Sequence, residues 1–352
     1  LHATLIKAAT GEALEEQEII CLLKLEQPEE TELLFSAARK VRERNFGHDI
    51  FLYGFIYFST YCRNDCAFCL YRRSNQAGKR YRKPPAEILE TAGQLTKSGV
   101  HLLDLTMGED PYYFNENRFD QLLSLVEQVI KTAGLPVMIS PGVVSHDQLQ
   151  GFHEIGVDWY ALYQETHNRE LYCKLRLGQD YDERLDLKRY AHQLGMLAEE
   201  GLLSGIGESN EDICHSFAAM RELEADQVRV MSFIPQVGTP LEKFHTVSHL
   251  RELKIIALMR LLFPDRLIPA SLDVDGLAGL RQRLNAGANV VTSIIAPRRG
   301  FQGVSQSTLD VDEGGRTVSG IMPVLKACGL QSATAARYRQ WVDQRKRAYI
   351  WK

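Results

Sequence analysis

Eight short apolar runs recur along the chain, each followed by a segment of helical character, and few folds accept that alternation. The runs lie near residues 50–58, 100–106, 136–140, 158–164, 202–206, 227–234, 266–273 and 290–296. Between them come helical stretches such as Pro85–Ser98, Phe119–Thr132, Asp182–Glu200, Asp212–Leu223 and Ser248–Leu262. Strand–helix units repeated eight times predict an α/β chain folded as a (β/α)8 TIM-type barrel. The segment after the third strand, His146–Ile155, is short, and the last crossover, Arg298–Gly315, is polar and glycine-bearing. A helical stretch over about 12–45, broken at Pro28, precedes the first strand, and a helix over Ala333–Ile350 closes the chain. No linker divides the rest. The expected organisation is an N-terminal helical extension over 1–45, covering the bottom of the barrel, and one barrel domain with its C-terminal helix over 46–352.

With 352 residues, 45% of them hydrophobic, the chain can bury a large core. Its formal net charge of −4 offers no basic footprint for nucleic acid. No apolar run is long enough to span a bilayer, and the first residues lack a secretory n-region and h-region. Seven cysteines, four of them scattered at Cys21, Cys173, Cys214 and Cys328, do not form a disulfide framework. A reducing cytoplasm is the expected setting.

The other three cysteines stand together as Cys62-x-x-x-Cys66-x-x-Cys69, directly after the first strand. Thiolates suit cluster iron, and an electron-transfer cluster normally has every iron ligated by protein. Three ligands leave one iron open to a substrate or cofactor. The alternatives are a zinc site or three buried thiols; zinc needs a fourth Cys or His at close spacing, and the nearest histidines are His48 and His101. Phe68 precedes the third cysteine. This C-x-x-x-C-x-Φ-C pattern resembles the radical S-adenosylmethionine (SAM) enzymes, which implies a 4Fe–4S cluster on three cysteines with SAM chelated at its open iron.

Barrel active sites form at the C-terminal ends of strands, and the unusual polar residues collect there. Met107-Gly108-Glu109, after strand 2, looks like the superfamily's Gly-Gly-Glu element, whose backbone binds the SAM amino group; methionine replaces the first glycine. Glu165, at the end of strand 4, and Arg184, on the next helix, look like the pair that holds the SAM amino and carboxylate groups, with Arg176 a second carboxylate partner. Arg matches a carboxylate bidentately and Glu matches an ammonium; Glu165 and Arg184 could equally form an ordinary salt bridge. Gly205-Ile206-Gly207 lacks the rest of a dinucleotide fingerprint and fits a turn that lets the adenine side of SAM approach the backbone.

Strand alternation points to the substrate pocket. Asp104 shares a face with Leu102 and Thr106, Arg229 faces away from Val228 and Val230, and Ser271 shares a face with Asp273. The apolar neighbours suit the outer helices, so these polar residues point into the barrel. Charges there need partners. Either they pair with one another, or they hold a ligand with one carboxylate and two amines, as in a diamino acid such as lysine.

Longer stretches resemble one family within this superfamily. Tyr57-Phe-Ser-Thr-Tyr-Cys62, Asp104-Leu-Thr-Met-Gly-Glu-Asp-Pro-Tyr-Tyr113, Ala161-Leu-Tyr-Gln-Glu-Thr166, Val228-Arg-Val-Met-Ser-Phe233, Arg266-Leu-Ile-Pro-Ala-Ser-Leu-Asp273, Arg283-Leu-Asn-Ala-Gly-Ala-Asn289 and Val291-Thr-Ser-Ile294 are similar to the methylornithine synthases of pyrrolysine biosynthesis. The resemblance covers the chain from about residue 35 onward. It implies an isomerase that rearranges L-lysine to (3R)-3-methyl-D-ornithine through a 5′-deoxyadenosyl radical, with fragmentation and recombination of the carbon skeleton. It also implies that Asp104, Arg229, Ser271 and Asp273 hold the substrate, with Thr292 and Ser293 as further candidates. An electron donor such as a ferredoxin or flavodoxin completes the expected partners. A sulfur-inserting enzyme would need a second set of cluster cysteines, which the scattered ones do not form. A hydrogenase maturase acting on another small amino acid is the alternative, and paired aspartates fit a diamine better. A non-catalytic iron–sulfur protein would be expected to ligate its cluster fully.

Overall fold

The computed structural model describes residues 1–115, 118–297, 310 and 314–350. In chain order the elements are α1 (His2–Thr10), α2 (Glu16–Leu23), α3 (Pro28–Phe46), β1 (Asp49–Ser59), α4 (Pro85–Ser98), β2 (Leu102–Met107), α5 (Phe119–Ala133), β3 (Val137–Ser140), α6 (His146–Glu154), β4 (Trp159–Ala161) and α7 (Arg169–Leu175). Then follow α8 (Tyr181–Gln193), β5 (Leu197–Ser204), α9 (Asn210–Glu222), β6 (Gln227–Ser232), α10 (His249–Leu262), β7 (Pro269–Ser271), α11 (Gly276–Asn285), β8 (Val290–Ile294), α12 (Val318–Ala327), β9 (Gln331–Ser332) and α13 (Ala335–Ile350). Eight parallel strands run β6–β5–β4–β3–β2–β1–β8–β7. The ring closes between β7 and β6 by a parallel bridge, Leu267 to Gln227. There the Val228 amide donates to Leu267 at 3.0 Å and the Leu267 amide donates to Asp226 at 3.1 Å. This is the (β/α)8 barrel the alternation predicts.

A parallel strand is buried on both faces, and β1 shows it: every residue but Asp49 is buried. Its pleat sends Ile50, Leu52, Ile56 and Phe58 to the helix-facing core and Phe51 and Tyr53 to a cluster inside the barrel. That inner cluster is closed by α13, not by the N-terminal helices. Tyr338, Trp341 and Val342 pack on Leu102, Trp159, Leu197, Leu267 and Val290 at the strand beginnings. Trp341 stacks on Trp159 at 5.9 Å; such a pair adds about 0.5–1.5 kcal/mol beyond its buried area. Arg345 pairs with Asp226 at 2.8 Å and Lys346 with Asp158, fixing the helix to the turns before β6 and β4. The extension instead packs outside, α2 and α3 against α9, α10 and α11. Buried Lys254 donates to the carbonyls of Leu23 and Leu25 at the end of α2, where the helix dipole favours a cation.

Most predicted boundaries lie within a few residues of the observed ones, but β5 is an exception. The helix expected over Asp182–Glu200 stops at Gln193, and Gly195, at φ 80°, turns the chain. The strand starts at Leu197, so Glu199 and Glu200 lie within it. The crossover read at 298–315 lies, apart from 310, 314 and 315, outside the described residues. Among the described residues no helix is long and apolar enough to cross a membrane.

Candidate active site

The cysteine loop leaves β1 at the C-terminal rim, where backbone bonds hold it. The Ala67 amide donates to Leu175 at 2.7 Å and the Arg63 amide to Glu109 at 2.9 Å. Arg80 donates to the carbonyls of Thr60, Tyr71, Arg72 and Asn75 at 2.6–3.1 Å, tying the loop ends together. Gly108 is needed because the loop passes so close: a Cβ there would sit 2.2 Å from the Tyr61 carbonyl. Cys66 is buried, and Cys62 and Cys69 are partly so. Burial pushes the Cys62 thiol up to about 11 and Cys69 higher still, so these residues become thiolates only beside a strong positive centre. Among the described residues no three His, Cys, Asp or Glu side chains converge on one point as a single metal ion would require. Cys62, Cys66 and Cys69 would instead suit a cluster of several irons.

Glu109 is committed within the protein. Its carboxylate accepts from Arg63 Nε at 2.8 Å and from the Val143 amide at 3.0 Å, linking the loops after β1, β2 and β3. The Gly205-Ile206-Gly207 turn also closes on the protein itself: Glu208 accepts from the amides of Gly205 and Ile206 at 2.9 Å.

Beyond β4, Glu165 adopts φ 68°, a left-handed conformation that side chains rarely take and that clusters at functional sites. It pairs with Arg176 at 2.7 Å, so the ordinary Glu165–Arg184 salt bridge, the alternative reading, is not formed. Arg184 donates to the Tyr163 carbonyl at 2.6 Å and to Gln179 Oε1 at 3.3 Å. Burial raises the Glu165 carboxyl pKa, with Arg176 and Arg184 opposing it. The guanidinium of Arg176 lies 5.5 Å over the Phe68 ring. Arg176 Nε and Arg184 Nε are buried donors with no acceptor among the described residues.

Inside the barrel, Arg229 donates through Nε to Glu199 Oε1 at 2.6 Å and through Nη1 to Thr292 Oγ1 at 3.4 Å. Glu199 also accepts from Gln227 Nε2 at 2.6 Å and the Tyr163 hydroxyl at 2.8 Å. The third nitrogen, Arg229 Nη2, is buried with no partner among the described residues. Asp104 accepts from Thr106 at 2.9 Å and forms no ion pair among them. Burial, then the Glu199 charge, push its carboxyl up to about 7 against the pull of Arg229. Asp273 pairs with Arg316 at 2.6 Å and accepts from Ser293 at 2.6 Å and from Ser271 at 3.4 Å. Ser293, at φ 65°, is a second strained residue at a strand end. Glu199, Tyr163 and Arg316 are the partners sequence reading missed.

A cavity partly open to solvent links the cysteine loop to Arg229, with Phe68, Cys69, Tyr163, Glu165, Arg229 and Gln236 in its wall, while Asp104, Ser271 and Asp273 lie outside its lining. An added Cβ at Gly201 would meet the Tyr163 ring at 2.8 Å, so the glycine makes room for that ring.

A parallel barrel whose first loop carries three cysteines beside such a cavity defines the radical SAM class, and the radical SAM superfamily signature matches residues 56–219. The chain is 46% identical over 333 residues, 94% of each protein, to 3-methylornithine synthase of Methanosarcina barkeri (strain Fusaro / DSM 804). It is 33% identical over 263 residues, 74% of each, to FeFe hydrogenase maturase subunit HydE of Thermotoga maritima. The crystal structure of methylornithine synthase (PylB) superposes with a TM-score of 0.92 at 45% identity, covering 96% of this chain and 99% of that one. The chain belongs to the 3-methylornithine synthase family of radical SAM enzymes, and its cofactors are a 4Fe–4S cluster and SAM. The residues fit these groups: three free thiols stand on one loop, the partly buried Cys62 and Cys69 needing a positive centre to ionise, and two buried guanidinium N–H donors beside the loop suit an anion such as the SAM carboxylate.

Proposed function

We propose that this protein rearranges L-lysine to its isomer (3R)-3-methyl-D-ornithine, with Cys62, Cys66 and Cys69 holding the cluster. Arg229 Nη2 carries the reading: it is a buried donor with no partner among the described residues, on a residue that shares a cavity with Cys69. An unsatisfied buried donor costs about 1–3 kcal/mol, and a substrate carboxylate would satisfy it. Glu199 and Thr292 hold the guanidinium in place before the substrate arrives.

When bound, the cluster and SAM supply an electron and a radical that removes one hydrogen atom from the substrate. The protein's own work is binding, orientation and exclusion of water. Asp104 and Asp273 receive the two ammonium groups, with Ser271, Thr292 and Ser293 filling the pocket between them. Arg176 and Arg184 face the SAM carboxylate, Glu165 its ammonium, and the backbone at Glu109 and the ring of Phe68 flank it. Anchors at both ends of lysine keep the fragments of a broken carbon chain within reach of each other, and recombination depends on that proximity. An electron carrier such as a ferredoxin or flavodoxin would supply the electron, and a reducing cytoplasm is the setting that suits seven free cysteines.

Anaerobic incubation of the cluster-loaded protein with reductant, SAM and L-lysine tests this. Chromatography with mass detection should show a new amino acid of unchanged mass and different retention. SAM cleavage with lysine untouched would remove the substrate assignment and leave the radical machinery standing.

A further inference from the structure

One side chain between the cysteine loop and the arginine pair has no role in the proposed function. Gln179 lies in the turn from α7 to α8, just after Gly178 at φ 70°. Its Nε2 donates to Cys66 Sγ at 3.1 Å. The two ends of an amide look alike in shape, so its direction has to come from its bonds. Here Oε1 accepts from both guanidiniums, Arg176 Nη1 and Arg184 Nη1, each at 3.3 Å. An arginine has no acceptor to offer, so the carbonyl must face the arginines and the N–H2 must face the sulfur. Two positive charges on the carbonyl polarise the amide and strengthen its N–H as a donor. Arg176 Nη1 itself approaches the same sulfur at 3.8 Å.

Hydrogen bonds to cluster sulfurs shift the reduction potential, because they stabilise the form with more negative charge on sulfur. We propose that Gln179 is a positioning residue that sets the cluster's reduction potential through its bond to Cys66, holding the cluster easier to reduce. This rests on Cys66 being a cluster ligand. The bond also ties the cluster electrically to Arg176 and Arg184, the residues that face the SAM carboxylate.

The test is a potentiometric titration of the cluster-loaded protein, without SAM or lysine, followed by electron paramagnetic resonance of the reduced cluster. Q179M removes the donor and should move the midpoint to a more negative potential. Q179E keeps the size but presents a carboxylate to the sulfur, and should move it further in the same direction. In the parent, one exchangeable proton coupling on the reduced cluster should vanish in D2O; in Q179M it should already be missing. Iron and sulfide contents show whether each variant carries a full cluster, and the two variants guard against either one failing to assemble. Unchanged potentials with full clusters would overturn the role of Gln179 and leave the radical SAM reading intact. A parent that bound no cluster would overturn both.

Discussion

Glu199 and Glu200 are neighbours on β5, both fully buried, and the pleat sends them to opposite sides of the barrel wall. Glu200 faces the helices. It pairs with buried Lys188 and accepts the amides of Gln164 and Gly201, both at 2.8 Å, while Lys188 also donates to Gln164 Oε1 at 3.1 Å. Burial opposes ionisation of Glu200, yet Lys188 and then His167 hold its carboxyl down at about 2. Glu199 faces the interior and is equally saturated, by Arg229, Gln227 and Tyr163. Its cation is not: Arg229 keeps one buried donor spare among the described residues. The outward pair is bonded within the protein, whereas the inward pair leaves one donor free of protein partners among the described residues. Of two like-looking buried ion pairs, the one with an open donor is the one proposed to bind the substrate.

That contrast breaks if the outward pair proves to serve chemistry. Lys188→Met takes the paired cation from buried Glu200, which should cost roughly 3–5 kcal/mol of stability, read from urea unfolding. Adding Glu200→Gln should recover most of the loss, and the double variant should turn over lysine within a few-fold of the parent. Full stability with lost turnover in Lys188→Met would show that the pair acts at the site. The next effect is Arg229→Met. Removing one partner of a buried, bonded charge pair costs about 2–5 kcal/mol, so kcat/KM for lysine should fall roughly 10²–10³-fold or more. Iron content and cluster absorbance should stay as in the parent. Retained turnover would remove Arg229 from the substrate's path.

The same two glutamates show what was legible in the sequence. The cysteine trio is readable because its ligand spacing is local, and alternation turned Asp104, Arg229 and Ser271 to one side because the strand period is two. Ala198-Glu199-Glu200 consists of good helix formers, so propensity extended α8 over them; tertiary pairing with Arg229 and Lys188 decided otherwise. Glu165 and Ser293 take left-handed conformations, which a period-two rule cannot express. Arg176 and Arg184 lie eight residues apart, and only the Gly178 turn decides which one reaches Glu165. Arg316 meets Asp273 across 43 residues, a contact no local pattern announces.

The smallest effect sharpens the contrast most, because it sets stability against function at one residue. Asp104 has a neutral donor, Thr106, and no cation paired with it among the described residues, and its carboxyl is pushed to about 7 by burial, then by Glu199. In the unfolded chain it would titrate near the ordinary carboxylate value. Folding therefore carries no penalty from Asp104 below about pH 4, where both states are protonated. The penalty grows as pH rises toward 7, because the unfolded state sheds its proton first, and levels off above that at roughly 4 kcal/mol. Asp104→Asn removes that cost but buries an amide with an unsatisfied N–H2, which returns about 1–3 kcal/mol. The variant should thus be more stable than the parent by about 1–3 kcal/mol at pH 8 in the absence of lysine, and the gap should narrow at pH 5. Turnover should drop, since an amide cannot pair with an ammonium, and KM for lysine in the parent should rise as pH falls below 7. A variant that was less stable at pH 8 yet still active would mean that Asp104 belongs, like Glu200, to the finished part of the wall.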